Sequence, residues 1–268
     1  MTKSPEERPA NSQVIILCGG KGTRMGGTVN TVKKELVEIG DRPMIWHVMK
    51  IFAASGFEDF ILPLGYRGQD IRRYFLEYNL THSQISFTIG ERQPVFHEKM
   101  PESNWRVTLV DTGLDANKGA RVKRVEKYIT TDQFLLTYGD GVADINVRSL
   151  VEFHKKHGKL ATVTGVRTTS QYGLMCVDDD GRVVEYVQYP LLKEWTNAGF
   201  MVFERRTLEH FSEDNRVDLE NDVLGRLASE GQLMMYRHEG FWRSADTFRE
   251  IQMLNDLWNS GEAPWKVW

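Results

Sequence analysis

Val14-Ile15-Ile16-Leu17-Cys18-Gly19-Gly20-Lys21-Gly22-Thr23-Arg24 is the stretch whose reading decides the fold. Val14 to Cys18 run without a polar interruption and end at glycine, the pattern of a parallel strand buried on both faces. The glycines that follow have no Cβ, so backbone N–H groups can close on phosphate oxygens. Arg24 adds a planar fork suited to bidentate phosphate contact. The segment therefore reads as a loop for the phosphates of a nucleoside triphosphate. Two other phosphate-loop patterns do not fit. G-x-x-x-x-G-K-[ST] is absent, and Gly20-x-Gly22 runs on into Thr23, Arg24 and Met25 without the third glycine of a dinucleotide fingerprint.

Working outward, apolar spacing predicts a helix over Met44–Ala54, a strand over 59–65 and a helix over 69–77. This β-loop-α-β-α opening is the signature of a doubly wound, mostly parallel α/β sheet. Residues 86–110 read as extended, with a polar insertion at 91–104. A helix is expected over 118–127, with Arg121, Lys123, Arg124 and Lys127 read mostly as a solvated face. Strand Phe134–Tyr138, helix Val147–His157 and strand Ala161–Val166 repeat the alternation. Beyond residue 170 the pattern becomes β-rich. Strands over 173–177 and 182–187 flank an Asp-Gly hairpin turn at Asp178-Asp179-Asp180-Gly181, which is a simpler reading than a calcium loop. Strand 198–203, helix 218–229, strand 234–237 and a terminal helix over 247–260 complete the chain.

The 268 residues are 41% hydrophobic, enough for a full core. The net charge of −3 argues against a nucleic-acid partner, which would call for a basic excess. Cys18 and Cys176 alone supply neither a disulfide framework nor a zinc site, and Cys18 reads as a small buried hydrophobe. No apolar run reaches membrane-spanning length. Residues 1–12 are polar, carry Pro5 and Pro9, and lack the apolar stretch of a secretory leader. They are expected to be a disordered lead-in, with a cytoplasmic location as the default. Residues 13–268 are expected to form one domain, a nucleotide-binding half at 13–169 and an acceptor-binding and C-terminal part at 170–268.

Two carboxylates stand out. Asp140 lies between Gly139 and Gly141 at the end of a strand, where open α/β sheets bind ligands, and a carboxylate there can hold Mg²⁺ against phosphates. Asp246 precedes Thr247, so an N-cap of the terminal helix would by itself account for it. Neither a nucleophile elbow nor a histidine metal spacing is present. His47, on a core helix, reads as structural.

Taken together these residues resemble the sugar-phosphate nucleotidylyltransferases, and most closely the glucose-1-phosphate cytidylyltransferases. The likeness rests on 17–25, on Lys34 with 36–40 and 43–47, on Thr108-Leu109-Val110-Asp111-Thr112-Gly113, and on Arg121 with 123–125. Thr137-Tyr138-Gly139-Asp140-Gly141-Val142-Ala143-Asp144 and Ala263-Pro264-Trp265-Lys266-Val267-Trp268 carry the likeness to the cytidylyl branch. The resemblance implies a Rossmann-like nucleotidyltransferase fold and a single displacement. A phosphate oxygen of a sugar 1-phosphate attacks the α-phosphorus of CTP or another NTP, and pyrophosphate leaves.

By the same resemblance Leu17, Cys18, Gly19, Gly20, Lys21 and Gly22 hold the nucleotide through their backbone. Thr23, Arg24 and Lys34 bind the triphosphate, Arg121 contacts the nucleotide and Gly139 lines its pocket. Arg24, Lys34 and Asp140 are the catalytic set, and Asp140 and Asp246 hold Mg²⁺. A homo-oligomer is implied, and the tryptophan-rich end is left open between internal packing and a subunit contact.

The sequence departs from the family in three places, one of them Thr196-Asn197-Ala198-Gly199 where Asn-Gly-Gly is usual, which leaves Asn197 for an acceptor hydroxyl. Arg-Pro-Lys-Pro is replaced by Val32-Lys33-Lys34-Glu35, which removes two prolines and sets a negative charge beside Lys34. Glu-Lys-Pro is replaced by Gln188-Tyr189-Pro190, which trades a charge-assisted bond to the acceptor phosphate for a neutral one, a loss of roughly 1 kcal/mol. Tyr189 and Asn197 are the acceptor-side candidates. The acceptor is therefore read as glucose 1-phosphate or a modified sugar-like phosphate. An alternative is a catalytically silent, nucleotide-binding homologue acting as a sensor or subunit.

Overall fold

The structure is a computed structural model that describes residues 12–20, 32–90 and 93–268. Strand β1, Gln13–Leu17, is buried along its whole length. Its side chains alternate between the two cores. Val14, Ile16 and Cys18 pack on one face of the sheet, and Ile15 and Leu17 on the other. This period-two division explains why an uninterrupted apolar run is required: both faces are covered.

Around β1 lie β2 (Asp59–Leu64), β3 (Arg106–Asp111), β4 (Gln133–Tyr138), β5 (Ala161–Val166), β6 (Thr196–Glu204) and β7 (Leu233–His238). The sheet order is β7-β5-β6-β4-β1-β2-β3. β1 pairs in parallel with both β2 and β4, β2 with β3, and β5 with β7. Only β6 runs antiparallel, inserted between β4 and β5. After β1 the chain builds outward on one side through β2 and β3, then returns to the other side of β1 with β4. The crevice between the carboxyl ends of β1 and β4 is therefore the topological switch point of the sheet.

Helices cover both faces, as a doubly wound fold requires. α1 (Met44–Ala54), α4 (Val147–His157) and the C-terminal α5 (Phe248–Asn259) pack on one side. α3 (Lys118–Arg124) and the helical segment Leu219–Ser229, whose first six residues are π-wound, pack on the other. α2 (Gly68–Leu76) follows β2. The strands of the one sheet come from residues 13 to 238, so the segments before and after residue 170 share it. No helix among the described residues is long and apolar enough to cross a membrane.

Several expectations need correction. The helix from Lys118 stops at Arg124, and Glu126–Tyr128 is a separate 3₁₀ turn. Its basic side chains do not form a solvated face. Arg121 is buried, Lys123 donates to the Leu208 carbonyl, and Arg124 donates to the Thr112 and Glu213 carbonyls. Only Lys127 of the four is exposed. The extended stretch at 86–110 breaks into the strand Val95–Phe96 and β3, with residues 91–92 outside the described set. The Asp-Gly turn forms as expected, with Gly181 at φ 83° and its N–H donating to the Asp178 carbonyl.

The tryptophan-rich end packs internally. Trp265 is fully buried, stacks on Phe241 and Trp258, and donates its indole N–H to His47 Nδ1 at 3.3 Å. His47 must then carry its proton on Nε2, which donates to the Ile39 carbonyl at 2.9 Å. Burial pushes the His47 pKa down to about 4, so the imidazole is the neutral, structural group the sequence suggested.

Candidate functional site

A pocket of about 420 Å³ opens at the switch point, lined among others by Leu17, Gly19, Gly20, Glu35, Lys118, Arg121, Tyr138 and Asp140. Its floor is the end of β1. Leu17 pairs with Tyr138 of β4, and Cys18 bridges to Leu64 of β2. The Cys18 thiol is fully buried and points at the Ile16 carbonyl, so only its backbone faces toward the loop. Gly19 and Gly20 stand at the pocket. Lys21, Gly22, Thr23 and Arg24 lie outside the described residues.

Arg121, the expected nucleotide contact, stands at this pocket. It lines the pocket, but its guanidinium is committed to the protein. It donates to the carbonyls of Leu64 (3.1 Å), Gly113 (2.8 Å) and Gly19 (3.1 Å) and to the Thr112 hydroxyl (2.7 Å). A Cβ on Gly19 would overlap this guanidinium, and one on Gly65 would lie 2.5 Å from it. The two glycines are what allow Arg121 to reach between the ends of β1 and β2. Arg121 is thus a clamp on Gly19, the first glycine after β1, a role that a buried fork with five donors fills better than a lysine.

Gly139 lies between Tyr138 and Asp140, two residues of the pocket wall. It is absent from the pocket lining and is buried. A Cβ there would sit 2.7 Å from Glu35 Cγ and 3.3 Å from the Leu17 carbonyl oxygen. Glycine is needed at this position for close packing behind the site.

The charged centre is assembled from three distant parts of the chain. Lys34 begins a single 3₁₀ turn, Lys34–Leu36. Its ammonium donates to Asp140 Oδ2 at 2.5 Å and to Asp246 Oδ1. Two short strands bring the carboxylates together. Gly141–Ala143 pairs antiparallel with Trp242–Ser244, and the Ala245 N–H donates to the Asp140 carbonyl at 2.8 Å. Burial pulls the Lys34 pKa down, but the two carboxylates outweigh it, and the net shift is upward. Ser244, which no sequence signal pointed to, donates its hydroxyl to Asp246 Oδ2 at 2.7 Å and fixes that carboxylate.

The N-cap explanation of Asp246 fails. The cap of α5 is Thr247, whose hydroxyl accepts from the Glu250 N–H while the Glu250 carboxylate accepts from the Thr247 N–H. With that capping box complete one residue later, Asp246 is turned to Lys34 instead.

The new charge at Glu35 does not stand beside the Lys34 ammonium. Glu35 is buried and pairs with Lys33 at 3.4 Å, and Lys33 Nζ donates to the Gly20 carbonyl at 3.2 Å. Burial pushes the Glu35 carboxyl pKa up, and the Lys33 ammonium opposes the rise.

The acceptor-side candidates separate. Asn197, on β6, accepts from the Gly199 N–H at Oδ1 and donates from Nδ2 to the Tyr138 hydroxyl at 3.3 Å. Tyr138 lines the pocket and donates to Glu220, which also pairs with Lys118 at 2.5 Å. Asn197 is therefore connected to the pocket wall. Tyr189 is half exposed, outside the pocket lining, in a left-handed conformation with φ 54° after the exposed ribbon of Leu174–Val177 and Val183–Val187.

Among the described residues no group of three or more His, Cys, Asp and Glu side chains is gathered in the way an all-protein metal site needs. The two carboxylates that converge on one cation suit a different arrangement, a hard divalent ion held partly by protein oxygens and partly by substrate phosphates.

A family profile described as nucleotidyl transferase matches residues 13–254. The chain is 39% identical over 258 residues to the probable glucose-1-phosphate cytidylyltransferase of Bacillus subtilis (strain 168), covering 96% of this chain and all of that protein. It is likewise 39% identical to the glucose-1-phosphate cytidylyltransferase of Salmonella typhi, covering 96% of this chain and 99% of the relative. HddC from Yersinia pseudotuberculosis shares the fold, with a TM-score of 0.68 at 18% identity over 92% of this chain and 99% of that one.

Proposed function

The chain belongs to the nucleotidyl transferase family, and on that premise we propose that it joins a nucleoside triphosphate, CTP, to a sugar 1-phosphate, giving an NDP-sugar and pyrophosphate. The observation that carries the reading is the meeting of Lys34 with Asp246 and with Asp140, which lines the switch-point pocket. A cation and two carboxylates at that place favour an enzyme over a silent binding protein. Glucose 1-phosphate, or a sugar phosphate related to it, is the acceptor.

A phosphate oxygen of the acceptor forms a bond to the α-phosphorus in line with the bond to the bridging oxygen that breaks, and pyrophosphate departs with that electron pair. No covalent enzyme intermediate is required. The protein acts by holding both substrates and by meeting charge with charge. In this reading the backbone of Gly19 and Gly20, which line the pocket, receives the nucleotide, and the Arg121 clamp keeps Gly19 in place. Lys34, held between Asp140 and Asp246, would supply the positive charge that meets the phosphates. Asp140 and Asp246 would hold Mg²⁺, and Ser244 keeps Asp246 aimed. When bound, Mg²⁺ neutralises triphosphate oxygens and makes the α-phosphorus a better electrophile.

The test is pyrophosphate release with Mg²⁺ across the four ribonucleoside triphosphates and a panel of sugar and polyol phosphates. The expected result is turnover that is fastest with CTP and a hexose 1-phosphate. Absence of pyrophosphate release with every pair would refute the reading.

A further inference from the structure

The Lys33–Glu35 pair stands where the family carries two prolines, and it is built into the wall of the site. Lys33 and Glu35 flank Lys34 but pair with each other rather than with the two carboxylates, and Glu35 is part of the pocket wall. Their side chains are 2% and 9% exposed, whereas Lys34 reaches the two carboxylates. A single 3₁₀ turn of three residues has little stability of its own. Around it, Lys33 (φ −67°, ψ 137°), at one of the two proline positions, keeps the φ that proline would impose, and Val37 (φ −64°, ψ 129°) is likewise extended. Nothing in the residue types Lys and Glu imposes that geometry, so it must be fixed by contacts.

The contacts are specific. Lys33 Nζ donates to the Gly20 carbonyl at 3.2 Å and pairs with Glu35 at 3.4 Å. Glu35 Cγ lies 2.7 Å from where a Cβ of Gly139 would be, next to Asp140. One ion pair thus ties the start of the phosphate loop, the turn that carries Lys34 and the backbone that carries Asp140. A lysine so buried is spent on the protein and does not reach a phosphate in the pocket.

We infer that Lys33 and Glu35 are positioning residues, an internal strap that acts on the reaction through Lys34. The inference rests on the activity proposed above. Losing one partner leaves a buried charge without its counterpart, which forces the strap open. A shift of about 1 Å at Lys34 is enough to slow the reaction roughly 100-fold.

The experiment is a double-mutant cycle between Glu35→Gln and Lys34→Ala, read as kcat and KM for pyrophosphate release and, separately, as CTP affinity by calorimetry. In the wild-type background Glu35→Gln is expected to lower kcat roughly 10- to 100-fold while the acceptor KM moves little. In the Lys34→Ala background the same substitution should change almost nothing, and Lys33→Arg should keep most of the turnover. If Glu35→Gln does not fold by circular dichroism, Glu35→Asp takes its place in the cycle. Effects of the two substitutions that simply multiply, or an unchanged kcat in Glu35→Gln, overturn the strap. Wild-type protein that binds CTP but releases no pyrophosphate refutes the proposed activity alone. The strap is then judged by whether Glu35→Gln weakens CTP only when Lys34 is present. Wild-type protein that binds no CTP overturns both.

Discussion

Lys34 holds one ammonium against two carboxylates, and each of the three has a different local reason to be where it is. Asp140 sits where β4 ends, Asp246 is released from helix capping by Thr247, and Lys34 rides a turn fixed by the Lys33–Glu35 pair. Asp140→Asn and Asp246→Asn keep the shape and remove the charge. Each should lower kcat by roughly 100-fold or more, measured as pyrophosphate release at saturating substrates, with the circular-dichroism spectrum unchanged. Ser244→Ala removes only the hydroxyl that aims Asp246. It should cost roughly 10-fold in activity, with the loss concentrated in the Mg²⁺ concentration needed for half-maximal rate.

At the scale of elements, the join between α4 and β5 contains a hydrogen-bonded relay that makes stability depend on pH. The Lys159 N–H donates to His157 Nδ1, so His157 carries its proton on Nε2 and donates to the Thr162 hydroxyl at 2.7 Å. That hydroxyl then donates to His154 Nδ1 at 2.8 Å, and His154 Nε2–H donates to Glu204 at 3.2 Å. Every step needs neutral imidazoles. Burial lowers the pKa of both histidines below the ordinary 6.5. As pH falls through that value the unfolded chain takes up protons before the folded one, so this contribution is complete above about 6.5 and is lost below it. Urea midpoints should fall between about pH 7.5 and about pH 5.5, and His154→Gln should flatten that fall. A flat wild-type profile would exclude the relay as a source of pH sensitivity.

For the molecule as a whole, the C-terminal segment closes the core that α1 began. Trp265 is fully buried among Phe241, Trp258 and His47. Trp265→Ala should lower the unfolding free energy by about 3–5 kcal/mol, read from urea unfolding at neutral pH. α5 also packs on the Glu38–Ile39 strand, where Asn255 Oδ1 accepts from the Gly40 N–H at 2.8 Å. The end of the chain thus supports the segment that leads out of the Lys34 turn, and the Trp265→Ala protein should lose activity at temperatures where the wild type keeps it.

The sequence by itself determined what depends on neighbours along the chain. Val14 to Cys18 announced a two-faced strand because both neighbours' burial is written in a continuous apolar run. Gly139-Asp140-Gly141 announced a strand end, and the Asp178–Gly181 turn, α1 and α4 were legible from local pattern. Only the tertiary structure decided which charges meet. Arg121, Lys123 and Arg124 looked like a solvated face, because composition does not reveal a carbonyl waiting 57 or more residues away, as Leu64 and Leu208 wait here. Asp246 could not be separated from a helix cap until Thr247 was seen to do that work. Glu35 read as a disturbance to Lys34 until its partner proved to be Lys33. Burial periodicity is a one-dimensional property, whereas an ion pair is decided by which elements the sheet brings side by side, and that order is set by the packing of the whole chain.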